Sequence, residues 1–207
     1  MAAETINSAS DAAGLAALIS RAAEQAGATS RGLPPVNTWN PPFCGDLDME
    51  IRADGTWFYM GTPIGRAPLV RLFSTVLRKD EDGRTYLVTP VEKIGIRIVD
   101  APFVAVEMQA GKRDGAPLIT FRTNVGDVVE VDAAHPLRFE TVGEERQLKP
   151  YVLVRGRLEA LVSRAAMYDL VALGETIAIK GIEMFAVRSG GEVFPIMPAD
   201  ELERLAS

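Results

Sequence analysis

Residues 46–60 read Asp46-Leu47-Asp48-Met49-Glu50-Ile51-Arg52-Ala53-Asp54-Gly55-Thr56-Trp57-Phe58-Tyr59-Met60. Leu47, Met49 and Ile51 alternate with Asp46, Asp48, Glu50 and Arg52, a period of two that predicts a strand with one apolar and one charged face. Asp54-Gly55 supplies the positive φ that a tight hairpin requires, and residues 57–60 return as a second strand. An antiparallel sheet with a solvated face follows from this stretch alone.

Downstream, Gly61-Thr62-Pro63-Ile64-Gly65 leads into a helix expected over 66–78. Pro68 is tolerated in its first turn, and Leu69, Leu72, Phe73 and Val76 form the stripe it buries. A turn at 80–83 follows. Short β-type runs then recur at 85–89, 94–99, 103–108, 118–123 and 128–131, separated by Gly, Pro, Asp or Asn, which predicts mostly antiparallel sheet. Residues 140–149 are charged and read as a loop, and 151–154 as a strand. A second helix is expected over 156–173, with Leu158, Leu161, Val162, Ala165 and Tyr168 on one face. Strands at 177–180, 183–188 and 193–196 and a short helix from Pro198 close the chain. Upstream, Ser10 or Asp11 caps a helix that carries Leu15, Leu18, Ile19 and Ala22 and ends near Gly27. Between the two regions, residues 31–44 contain Pro34, Pro35, Pro41 and Pro42 and read as an extended strap or linker.

One pattern recurs. Residues 56–77 read strand, Gly65-Arg66, Leu69-Val70 and helix, and residues 150–171 read strand, Gly156-Arg157, Leu161-Val162 and helix. Such a repeat suggests a duplicated module.

The chain has 207 residues, enough for one large or two small domains with a core that needs no metal or disulfide support. A net charge of −6 disfavours phosphate backbones, so nucleic acid is not an expected partner. No apolar run reaches the roughly 18 residues of a membrane span. The opening MAAETINSAS has neither the basic region nor the apolar run of a signal peptide, and a single cysteine excludes an internal disulfide. A cytoplasmic location is expected from these features.

Two residues concentrate the possible chemistry. Cys44 sits between a proline-stiffened approach and Gly45. It reads either as an inert small hydrophobe or as a reactive thiol. Asp46 and Asp48 disfavour a thiolate, so activation needs a nearby cation from Arg66, Lys93 or Arg155. His135 is the sole histidine, so any Cys–His hydrolase built from this chain uses Cys44 as nucleophile and His135 as base. More simply, a histidine before Pro136 is a hydrogen-bonded turn residue. No Gly-x-Ser-x-Gly elbow, Walker A or Gly-x-Gly-x-x-Gly occurs, so no cofactor is expected. One Cys and one His cannot complete a structural zinc site, and no metal is expected.

Several strings resemble a known family. They are Cys44-Gly45-Asp46-Leu47-Asp48-Met49, Asp54-Gly55-Thr56-Trp57-Phe58-Tyr59, Thr62-Pro63-Ile64-Gly65-Arg66 and Tyr86-Leu87-Val88-Thr89-Pro90-Val91-Glu92-Lys93. His135-Pro136-Leu137-Arg138 and Pro150-Tyr151-Val152-Leu153-Val154-Arg155-Gly156 belong with them. Over residues 39–196 the chain resembles the proteobacterial domain-of-unknown-function family 1285. That resemblance implies an α+β protein of two related halves, mainly antiparallel sheet each with a packed helix. It implies a second half superficially like a pleckstrin-homology domain, and a site where the halves meet, near the cysteine that matches Cys44.

The combined expectation is an N-terminal helical extension over 1–33, a first half over 34–110 and a second over 111–207. The favoured function is a small-ligand-binding or signalling module in which Trp39, Asn40, Glu92, Lys93 and Arg155 join Cys44 around an anionic molecule. A protein partner is a further possibility. A thiol-dependent enzyme or redox sensor using Cys44 is the alternative, and structural scaffolding the third.

Overall fold

The alternation over 46–51 forms the larger part of a nine-residue strand, β1 (Phe43–Ile51), in a computed structural model that describes residues 11–25, 32–143 and 147–206. Met49 and Ile51 are buried, whereas Asp46 and Asp48 are exposed, as the period of two requires. The hairpin closes through Arg52 N–H to the Thr56 carbonyl at 3.0 Å and places β2 (Trp57–Tyr59) beside β1, with Ile51 opposite Trp57. A second tight turn at Met60-Gly61 brings back β3 (Thr62–Pro63), so Met60 belongs to a turn and not to the strand.

The helix expected over 66–78 is α2 (Ala67–Thr75), and it ends early. Val76 caps it, and Leu77–Lys79 form β4, because Leu77 is needed opposite Leu87 in β5 (Thr85–Val88). β6 (Lys93–Ile98) runs antiparallel to β5 and parallel to β1. The first sheet has the order β3-β2-β1-β6-β5-β4. Trp57 stacks on Phe73 of α2 with ring centroids 6.2 Å apart, and Met49, Ile51, Leu77, Leu87 and Ile94 complete the core beneath. Each such side chain stabilises the fold by about 1.5–3 kcal/mol when fully buried.

The N-terminal helix is α1 (Ala12–Gln25), capped by Asp11, whose Oδ1 accepts from Gly14 N–H at 2.7 Å. Leu15 and Ile19 are fully buried, and the helix packs on α2. Ser10 and Gly27, the other expected boundaries, lie outside the described residues. The proline-containing strap is ordered from Gly32 onward. It holds a single 3-10 turn (Val36–Thr38), and the Arg78 guanidinium donates to the Val36 and Trp39 carbonyls, each at 2.7 Å.

A second unit, Phe103–Arg155 with Glu159–Ser207, separates from the first, which holds the chain up to Pro102 with Gly156–Leu158. Position 110, taken from the sequence as the junction, lies within β7 (Phe103–Arg113). β8 (Ala116–Thr123) and β9 (Val128–Glu130) follow as antiparallel neighbours. Two expectations fail here. Residues 140–142 and 147–149, expected as loop, are strand, because β10 (Leu137–Val142) and β11 (Gln147–Arg155) form an antiparallel ladder with Glu140 opposite Lys149. Opposite charges across the strands disguise what is a paired and solvated edge.

The second helix is also shorter than expected. Residues 158–162 form β12 (Leu158–Val162), in which Leu158, Ala160 and Val162 are buried alternately, and Ala160 pairs with Phe103. Only α3 (Arg164–Val171) is helical, with Ser163 Oγ accepting from Ala166 N–H at its start. The sequence Leu-Glu-Ala-Leu-Val suits either state, and pairing with β7 decides. A small third sheet, β13 (Glu175–Ile179), β14 (Ile182–Ser189) and β15 (Glu192–Pro198), precedes α4 (Ala199–Ala206). Ser189 stitches β14 to the second sheet: its hydroxyl donates to the Val131 carbonyl at 2.7 Å and accepts from Ile119 N–H at 2.8 Å.

The second sheet has the order β10-β11-β12-β7-β8-β9. Numbered from its own first strand and read from the other edge, it repeats the first sheet's order, 3-2-1-6-5-4. In each sheet strands 1 and 6 are parallel neighbours. The chain is therefore an α+β protein of two related halves. The strings that suggested duplication are not equivalent positions, however. Residues 56–77 cover strands 2 and 3 of the first sheet, and 150–171 cover strands 5 and 6 of the second. Gly156-Arg157 joins two strands, not a strand to a helix.

Candidate functional site

Register aligns a row of side chains on the face of the first sheet opposite its core. Asp46 of β1 faces Gly95 of β6, Gly95 faces Tyr86 of β5, and Tyr86 faces Arg78 of β4. The next row along pairs Phe43 with Lys93. Two residues, Cys44-Gly45, separate Phe43 from Asp46 where Ile94 alone separates their partners Lys93 and Gly95, so the ladder carries one extra residue here and Gly45 adopts φ +98°. Glycine meets that conformation at no steric cost, and the bulge re-aims the chain at Cys44.

The row is knit by charge and by ring contacts. Arg84 forms an ion pair with Asp46 across Gly95 and lies 5.6 Å from the Phe43 ring centroid and 5.4 Å from that of Tyr86. The Tyr86 hydroxyl donates to the Asp82 carboxylate, and Lys93 Nζ stands 4.5 Å over the Tyr86 ring. Lys93 Nζ also donates to Asp80 Oδ2 at 2.9 Å, while Arg78 Nε donates to Asp80 Oδ1 at 2.6 Å. Burial pushes the Asp80 carboxyl up, but the hydrogen bonds from Arg78 and Lys93 outweigh it and hold the group below the ordinary carboxylate range. The phenol hydrogen bond lowers Asp82 and, by the same contact, raises Tyr86.

Three cations and three carboxylates make the row neutral as a whole. Asp80 serves both Arg78 and Lys93, and the charge of Lys93 also helps to lower the Asp82 carboxyl, so two cations converge at that end without a net excess. Lys93 offers three donors and directs one at Asp80.

Three of the residues singled out in the sequence meet at this end. Arg78 joins Asp80 to the Trp39 carbonyl. Lys93 joins Asp80 to the Pro42 carbonyl through its backbone N–H at 3.0 Å. The same Pro42 oxygen accepts from Cys44 Sγ at 3.5 Å. Trp39, Cys44 and Lys93 thus belong to one network, and Asn40 is exposed within the strap beside it. Glu92 is buried in the turn before β6, where its N–H donates to Thr89 Oγ1 at 3.2 Å.

The remaining two lie in the second unit. His135 closes a turn in which Asp132 Oδ1 accepts from the N–H groups of Ala134 and His135 at 2.8 and 2.9 Å and lies 3.3 Å from the His135 ring Nδ1. Arg155 forms an ion pair with Asp127 and stacks 4.7 Å from the Phe103 centroid. Each is accounted for within that unit. Among the described residues, no group of three or more His, Cys, Asp and Glu is placed to hold a metal ion, and no helix is long and apolar enough to cross a membrane.

Sequence reasoning missed Arg78, Asp80, Arg84 and Tyr86, which carry most of the network. Arg78 was hidden in the expected helix. The alternation Arg84, Tyr86 on a predicted strand was the available signal for the other pair.

Comparison with known proteins gives two family models, the N-terminal domain of DUF1285, a domain of unknown function, over residues 34–101 and the C-terminal domain of the same family over residues 102–196. A DUF1285 family protein from Silicibacter pomeroyi DSS-3, known from its crystal structure, is 45% identical with a TM-score of 0.82. The match covers 95% of this chain and 100% of that one. Another, from Shewanella baltica OS155, is 26% identical with a TM-score of 0.49, over 61% of this chain and 91% of that one. No curated protein matches the chain.

Proposed function

We propose that this chain, which belongs to the DUF1285 family, is a cytoplasmic ligand-binding module that holds a small anion without turning it over, on the outer face of the first sheet beside Cys44. The observation that carries this reading is the sharing of Asp80 between Arg78 and Lys93. Two cations converge there next to the aromatic rings of Phe43 and Tyr86, an arrangement suited to a carboxylate or phosphate on a compact body. Trp39 and Asn40 would border the ligand from the strap, and Lys93 would hold it.

Binding is favoured over turnover by what Cys44 and His135 contact. The Cys44 thiol is half-buried and donates to the Pro42 backbone carbonyl. The His135 ring faces Asp132 in a surface turn.

The test is a thermal-shift and calorimetric screen of the full chain with inorganic phosphate, citrate and benzoate. At least one is expected to raise the melting temperature, with the effect lost in Lys93→Ala and kept in the exposed control Lys112→Ala. A screen in which none binds, or in which Lys93→Ala binds as the wild type does, removes the reading.

A further inference from the structure

The second unit contains a groove of about 450 Å³ between the start of β11, the end of β12 and α3. That volume lies within the range of small-molecule sites. Leu148, Leu161, Met167 and Tyr168 form its apolar wall, Lys149 and Arg164 supply its charge, and among the described residues no Asp or Glu lines it.

Arg164 stands apart from its neighbours. Arg122, Arg138, Arg155 and Arg188 of the same unit each form an ion pair with a carboxylate. Arg164 has no carboxylate partner among the described residues. Its Nε donates to the Tyr168 hydroxyl at 3.3 Å, and its guanidinium lies 5.9 Å from that ring. Four of the five guanidinium N–H donors remain to be directed elsewhere. Tyr168 is 58% exposed, a large ring left in water at the groove.

We infer that this groove binds a monocarboxylate with a compact apolar body, its carboxylate held on the Arg164 fork and its body against Leu148, Leu161 and Met167. A planar carboxylate matches the guanidinium in a bidentate way, and an unneutralised cation with no acidic wall around it selects an anion. The apolar wall selects the body. A phosphate dianion needs donors for its additional oxygens beyond the Arg164 fork, and among the described lining residues only the side chains of Gln147, Lys149 and Tyr168 offer them.

This groove shares no residue with the row on the first sheet, so the two sites fail or stand separately. The probe is octanoate, titrated into the full chain by calorimetry, with octanol, acetate and octyl phosphate as the comparison arms. Octanoate is expected to bind one-to-one and to shift the methyl resonance of Met167, identified by its loss in Met167→Leu. Octanol and acetate should each bind at least tenfold more weakly, and octyl phosphate no more tightly than octanoate. Arg164→Gln should weaken octanoate on the order of ten- to a hundredfold, the usual effect of losing charged hydrogen bonds. Lys112→Ala, at an exposed cation that does not line the groove, should leave it unchanged. Octanol binding as tightly as octanoate, octyl phosphate binding more tightly, an unmoved Met167 methyl, or an unaltered Arg164→Gln affinity in a normally folded variant would each overturn the assignment.

Discussion

The carboxylate of Asp46 occupies the space that a side chain on Gly95 would need. A Cβ at residue 95 would also meet Arg84 Nη2 at 2.7 Å, so the Asp46–Arg84 pair crosses the sheet over a residue with no side chain. Glycine inside a strand is disfavoured by roughly 0.5–1 kcal/mol, and the close approach explains its presence. Gly95→Ala should displace the exposed ends of Asp46 and Arg84 and destabilise the chain by about 1 kcal/mol or less, the worth of a surface ion pair. Most of that penalty should vanish when Asp46→Ala clears the space. Urea unfolding of the four members of this cycle measures the coupling, and equal penalties in both backgrounds would refute the explanation.

Asp80 makes acid stability sensitive to one carboxylate. Its folded value is depressed, so its contribution is fully present above the unfolded value near 3.9 and is lost as pH falls through the lower folded value. Unfolding free energy should therefore fall below about pH 4, and fall less steeply in Asp80→Asn. Urea titrations between pH 3 and 7 compare the two slopes. Parallel curves would show that the bonds from Arg78 and Lys93 do not act as described.

Ser189 is fully buried and satisfies Ile119 N–H and the Val131 carbonyl together. Ser189→Ala leaves both backbone groups without their partner, at a cost of about 2–3 kcal/mol. Hydrogen exchange should locate the loosening at β14 and at the Ile119 amide. Destabilisation below about 0.5 kcal/mol would mean the contact contributes little.

Cys44 is half-buried and donates to Pro42. Iodoacetamide should label it at least tenfold more slowly in the folded chain than in urea. Cys44→Ala should leave anion binding within twofold of the wild type. Rapid labelling of the folded chain at neutral pH would instead favour the thiol-based reading.

Much of the first half was legible in the sequence because its signals are local. Alternation over 46–51 marks a half-buried strand, and Asp54-Gly55 marks the hairpin. Failures cluster where a segment's own preference is ambiguous. Residues 158–162 accept either state, and residues 140–149 look like a loop because their charges face water and one another. Leu77 and Arg78 satisfy the helical period of α2 but are needed in β4. For the site, the sequence pointed to Lys93, Cys44 and Trp39 but not to the Arg78–Asp80 link that connects them.

The sequence by itself determined the class of the protein, helices beside mainly antiparallel sheet, since periodicity and turn chemistry act over a few residues, and the family resemblance implied the two related halves. Only the tertiary structure decided which residues correspond between the halves, because strand order is set by pairing between distant segments. It alone decided the site network as well. Arg78 and Asp80, at the end of β4, meet Lys93, at the start of β6, because β5 pairs with both strands, and no spacing along the chain encodes that.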